Sequence, residues 1–163
     1  MTTLWLPDWY TPGLAPAEDA VKSLFQPLFP TGFEGAVDVI NELPDGVLDT
    51  GWFGRLLYIA RSGGGANVRR DQAPVQIAAI TTSRTDSLRL NGFVRDILVP
   101  LDDNVEVELS GDGRIMTIVG VEEITGPEEI PGQEYDERII PSTYLFTFDN
   151  PLSTPDYSDH LGL

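Results

Sequence analysis

Apolar side chains recur every three or four positions in two parts of the chain and at alternate positions in several others. These two periods lay out the elements. Leu90, Phe93, Val94, Ile97 and Leu98 put one apolar face on a helix that ends near Val99. Its start is marked by Ser83 with Asp86 three positions on, and its end by Pro100. Ala17, Ala20, Val21, Leu24 and Phe25 form a second helical stripe, predicted from Ala17 to Gln26. Pro16 suits its first turn, Glu18 and Asp19 complement the positive end of the helix dipole, and Pro27 ends it.

The remaining pattern is that of strands. Leu56, Leu57, Tyr58, Ile59 and Ala60 form an apolar run, a second runs from Val75 to Thr82, and a short one from Gly35 to Ile40. Val105, Val107 and Leu109 alternate with Glu106, Glu108 and Ser110, Asp112 and Gly113 supply a hairpin turn, and Ile115 to Val121 returns as the partner. Tyr144, Phe146 and Phe148 alternate with Thr143, Leu145 and Thr147 in a last strand from Ser142 to Phe148. Between the first two strands, Arg61 to Pro74 reads as a long basic, Gly-rich connection, and Glu122 to Glu137 as an acidic exposed loop. This order predicts an α+β fold, a mainly antiparallel β-sheet with two principal helices packed on one face. The divisions are an N-terminal arm (1–16), a single domain (17–148) and an extended C-terminal tail (149–163). Trp5 and Trp9, among prolines at 7 and 12, either pack on their own domain or anchor on a neighbouring subunit.

Charge changes the picture most. The net charge is −16. Residues 1–100 carry 11 acids and 8 bases, whereas residues 101–163 carry 15 acids and 2 bases, Arg114 and Arg138. Such a chain repels polyphosphate, so tight nucleic-acid binding is disfavoured, while DNA can pass over it without sticking. The sequence has no cysteine, which removes disulfides and thiolate chemistry and suits synthesis in a reducing cytoplasm. It shows no secretion signal at its start and no apolar run of about 18 residues, so no membrane partner is expected.

Candidate chemistry is sparse. Gly63, Gly64 and Gly65 with Arg69 and Arg70 suggest a phosphate loop, but the Gly-Lys-Ser/Thr ending is missing and a strand follows where a helix is required. A basic loop on an acidic protein has an electrostatic partner in the acidic surface of another protein or another copy of itself. Asp102, Asp103, Glu106 and Glu108 lack EF-hand spacing. They read as a solvated acidic face, with a divalent-ion site of a hydrolase as the alternative. Glu122, Glu123, Glu128 and Glu129 extend the acidic surface. His160 is the single histidine, so neither a triad nor an imidazole zinc site can be assembled within one chain. No enzyme activity, cofactor or metal is expected. The sequence is explained by surfaces.

The run Leu-Leu-Tyr-Ile-Ala-Arg-Ser-Gly-Gly-Gly (56–65), the run Asp-Gln-Ala-Pro-Val-Gln-Ile-Ala-Ala-Ile-Thr-Thr-Ser-Arg (71–84), the helix to Leu98 and the strand Tyr-Leu-Phe-Thr-Phe (144–148) carry a resemblance. Together they resemble the tail terminator proteins of long-tailed (siphovirus-type) bacteriophages, especially those of actinobacterial phages, over residues 17–148. The resemblance implies a structural virion protein at the tail–neck junction. It implies a ring, hexameric in that family, that caps the tail tube, ends its polymerisation and joins it to the head-side connector, with DNA passing through the channel. Its implied partners are further copies of itself, the tail tube protein and the connector or stopper protein. By position in the motif, Arg61 and the loop from Ser62 to Asp71 meet the tube or a neighbouring subunit, and Arg84 is a candidate for an inter-subunit ion pair. Another neck or tail-completion protein, and a metal-dependent hydrolase using the acids at 102–108, are the rival readings.

Overall fold

The computed structural model of the chain describes residues 5–47, 49, 52–67, 69–111, 113–127, 137–149 and 155–163. The first apolar stripe forms α1 (Ala17–Phe25), with Pro16 at its N-cap and Glu18 and Asp19 in its first turn. Pro27 tightens the following residues, Gln26–Leu28, into a short 3-10 turn, where its missing N–H leaves no bond unmade. Strands β1 (Val37–Ile40) and β2 (Arg55–Arg61) pair in parallel. They are followed by β3 (Gly65–Ala66), β4 (Arg70–Ile80) and α2 (Arg84–Leu98). The chain continues through β5 (Val105–Glu108), β6 (Ile115–Thr125), β7 (Ile139–Asp149) and the short α3 (Ser158–Leu161). Sheet order is β1-β2-β4-β7-β6-β5, with β3 beside β4, and every pair except β1–β2 is antiparallel. The predicted α+β class with a mainly antiparallel sheet is the class observed.

Strand alternation sets which side chains meet the helices. Leu57, Ile59, Val75, Ile77, Tyr144, Phe146, Phe148 and Ile118 lie in one buried cluster with Val21 and Phe25 of α1 and Val94 and Leu98 of α2. Both helices therefore cover the same face. On the opposite face Leu56, Ala78 and Ile80 are buried against Val47 and the partly buried Trp52.

Three boundaries differ from the sequence prediction by three residues or more. The second central strand begins at Arg70 rather than Val75, β6 runs to Thr125 rather than Val121, and β7 starts at Ile139 rather than Ser142. Pro74 was the misleading signal. Its carbonyl accepts from the Ser62 amide at 2.8 Å, so its protonless nitrogen points to the side where the neighbouring strand bulges, and no ladder bond is lost. Glu122 and Glu123, predicted in a loop, are strand residues of β6. The part of that loop at 128–136, with Glu128 and Glu129, lies outside the described residues.

The caps of α2 match prediction, with the Ser83 hydroxyl accepting from the Asp86 amide at 3.2 Å. The buried face of α2 is rotated from the predicted stripe: Ser87 and Asn91 are buried with Leu90, Val94 and Leu98, while Phe93 is exposed at its rim against Phe29. Ser87 bonds the Thr81 amide at 3.0 Å and Asn91 donates to the Ser142 hydroxyl at 2.7 Å. A polar seam therefore joins α2 to the sheet.

The chain ends meet each other. Trp9 stacks on His160 with ring centroids 4.0 Å apart, Tyr10 lies against Tyr157, and the Tyr157 hydroxyl donates to the Thr11 carbonyl. Arg114 holds the arm to the sheet by donating to the carbonyls of Pro12 and Gly13. The tail, predicted as extended, thus contains α3, closed by Gly162 in the left-handed region.

Candidate functional site

The connection from Arg61 to Pro74, expected as a long loop, is a bulged β-hairpin. Arg61 pairs with Val75 and Gly65 with Gln72, so four steps along one strand face three along the other, which defines a one-residue bulge. Gly63 and Gly64, both at positive φ, make the bulge. The hairpin turns where the Asn67 amide donates to the Arg70 carbonyl, at 2.8 Å, and the Asn67 side-chain oxygen accepts from the amides of Arg69 and Arg70. This turn-capping bond is the usual reason for asparagine at such a place.

The base of the hairpin is braced by charge. The Arg61 guanidinium donates to both oxygens of Asp71, at 2.7 and 2.8 Å, and to the Gly63 carbonyl at 2.6 Å. Its own backbone amide donates to the Glu18 carboxylate on α1 at 2.7 Å. Asp71 is buried, and its hydrogen bonds hold the Arg61 guanidinium above its ordinary pKa. Planar two-point pairing of this kind fixes direction as well as distance. Arg61 is therefore engaged within its own chain, and the tip beyond it carries Arg69 and Arg70 into solvent. Arg70 also meets Asp149 at 3.2 Å across the neighbouring strand, with both side chains about half exposed.

The other singled-out residues are spread over the molecule. Arg84 donates to the Glu137 carbonyl at 3.2 Å, within the same chain. Trp5 is 80% exposed, while Trp9 is half covered by the C-terminal helix. Asp102, Asp103, Glu106 and Glu108 are exposed on and before β5, and Glu122 is exposed on β6. Glu123 turns the other way, toward α2, and takes two hydrogen bonds from Arg95, at 2.7 and 2.9 Å. Spacing gave no sign of this pair, since its members lie on different elements.

Those bonds from Arg95 hold the Glu123 carboxyl below the usual carboxylate range. Beside it, burial pushes the Tyr144 phenol up to about 12. Because the folded value of Glu123 is depressed, its contribution to stability is complete above the ordinary value of 4.5 and is lost as pH falls through the folded value. We expect Glu123→Gln to melt below the parent protein at pH 7 and the gap to shrink steadily on acidification below pH 4.5, measured by circular dichroism.

Among the described residues no three His, Cys, Asp or Glu side chains come together as a metal site. An open recess of about 260 Å³ is lined by Glu34, Gly35, Phe53, Gly54, Arg55 and Thr82, and the Arg55 guanidinium in it is bonded to the Gly35 carbonyl at 2.7 Å. No helix among the described residues is long and apolar enough to cross a membrane.

The sequence model of a family described as phage tail termination protein matches residues 13–155. No curated protein matches the chain.

Proposed function

We propose, since this chain belongs to the phage tail termination protein family, that its copies form a hexameric ring that caps the tail tube, ends its polymerisation and joins it to the head-side connector. Membership makes the chain a structural protein of phage tail completion and a component of the virion. The match over residues 13–155 is the observation that carries the reading, and the surfaces suit it. The braced hairpin with Gly63, Gly64 and Gly65 at its bend presents Arg69 and Arg70 to a partner, with Arg61 as its brace. Arg84, Trp5 and Trp9 are assigned to further subunit or tube contacts. The exposed acids at 102, 103, 106, 108 and 122 supply the acidic surface. Like charge denies passing DNA a binding well, so a net charge of −16 favours a channel through which DNA slides. The proposed place is the tail–neck junction, after synthesis in the host cytoplasm.

Electron microscopy of particles made without this protein tests the reading. Tails of uncontrolled length that fail to join heads are the expected result. Normal joined virions would overturn it.

A further inference from the structure

We infer that the Arg69–Arg70 hairpin tip of one copy docks on the acidic β5 side of the next copy, at Asp102, Asp103, Glu106 and Glu108. The inference rests on the ring reading and names the contact that closes it.

Three observations lead to it. The first is charge. A chain of net −16 repels itself, so copies associate only where opposite signs are brought together or charge is absent. Among the described residues most other arginines have partners at home: Arg61 with Asp71, Arg95 with Glu123, Arg55 and Arg84 with backbone carbonyls, Arg114 with Pro12 and Gly13, and Arg138 over the Trp52 ring, while Arg89 has an exposed pair with Asp86 on its own helix. Arg69 makes no side-chain hydrogen bond or ion pair among the described residues, and Arg70 has only the half-exposed contact with Asp149, a kind worth little in water. Among those same residues, no ion pair reaches Asp102, Asp103, Glu106 or Glu108.

The second observation is preorganisation. The hairpin is held at its base by the two-point Arg61–Asp71 pair, at its bend by Gly64 packed onto Gln72 and Pro74, and at its turn by Asn67. An arginine pair carried on a fixed stem loses less freedom on docking than one on a loose loop.

The third is level. Across the sheet, Ala66 pairs with Asp71, Asp71 with Phe148, Phe148 with Ile118, and Ile118 with Val105. The next row runs Arg70, Asp149, Thr117, Glu106. The hairpin tip and β5 therefore sit at the same height along the strands. Copies related by rotation about an axis parallel to the strands keep that height, so tip meets β5 with no rise from one copy to the next. A head-to-tail contact without rise closes into a ring when its rotation divides a full turn, whereas one with a rise grows a helix.

The absence of cysteine makes the test clean. Ala66→Cys with Asn104→Cys leaves every charge in place, and both positions are exposed. A short bis-maleimide added to the double variant on tail tubes purified from particles lacking the protein should give a ladder of covalent multimers. Either single variant should give none, because the contact joins two different surfaces; dimers from a single variant would overturn the assignment. Arg69→Glu with Arg70→Glu, and separately Glu106→Lys with Glu108→Lys, should each raise the concentration for half-assembly tenfold or more. An equimolar mixture of these two proteins should assemble at a lower concentration than either alone, since the reversed tip then meets the two lysines and the intact arginine tip meets an intact acidic face. That rescue also shows that both variants fold. Rings that form normally without a ladder, and charge reversal without effect, overturn this contact and leave the ring reading standing. Failure of the parent protein to form rings on tubes overturns both.

Discussion

Replacing Gly64 by alanine is expected to destabilise the protein by about 3 kcal/mol, whereas the same change at Gly65 should cost under about 1 kcal/mol. The two residues are neighbours with the same composition, so the difference is one of place. Gly64 has a φ of +81°, and a Cβ built on it would sit 2.0 Å from the Gln72 carbonyl oxygen and 2.6 Å from Pro74 Cδ. The backbone contact cannot be relieved by turning a side chain. Either the bulge opens, detaching β3 from β4, or β4 shifts against β7. Gly65 lies outside the left-handed region, and its Cβ would meet nothing within 4 Å. Urea unfolding of both variants checks the contrast. For a chain of this size about 3 kcal/mol corresponds to a melting temperature lower by roughly 6–12 °C. Because the bulge directs the hairpin, Gly64→Ala should also impair assembly, while Gly65→Ala should assemble as the parent does.

That contrast shows how far the sequence could be read. The glycine run was visible as a place where the chain bends, but which glycine is indispensable depends on Gln72 and Pro74 approaching from the returning strand. Elements whose signal is periodic or immediately local were legible: α1, the Ser83 cap of α2, and the alternation of β5 with β6. The start of β4 was not, because Asp71, Gln72 and Pro74 look like loop residues until the bulge gives the proline a place and Arg61 gives the aspartate a counter-charge. The buried face of α2 was misjudged for a related reason. Ser87 and Asn91 are polar by type, and their burial rests on hydrogen bonds to Thr81, just past β4, and to Ser142 of β7. Arg95 with Glu123, and Glu18 with the Arg61 amide, join positions far apart in the chain and leave no period to detect. Of the candidate site, residue types and sign of charge were legible. The division of labour between Arg61 as brace and Arg69 with Arg70 as tip was not.

Asp71→Ala should have the second large effect, a loss of about 3 kcal/mol, because it strips a partly buried guanidinium of both carboxylate acceptors and leaves it the Gly63 carbonyl. The Asp71 side chain is only 7% exposed and that of Arg61 28%, so water replaces the lost bonds poorly. The loss is the cost of stranding one charge, which differs from the net worth of the pair. Replacing both together, Arg61→Met with Asp71→Leu, should therefore recover stability to within about 1 kcal/mol of the parent, since well-packed apolar side chains substitute for a buried ion pair without penalty. Urea midpoints of the single and double variants measure this, and a double variant as unstable as Asp71→Ala would show that the pair contributes by its geometry as well as by neutralising charge. Assembly separates the same two roles. The double variant keeps Arg69 and Arg70 but loses the planar two-point contact that aims them. If direction matters to docking, it should assemble at higher concentration than the parent even though its fold is equally stable. Parental assembly by the double variant would assign the aim of the hairpin to the Gly64 bulge alone.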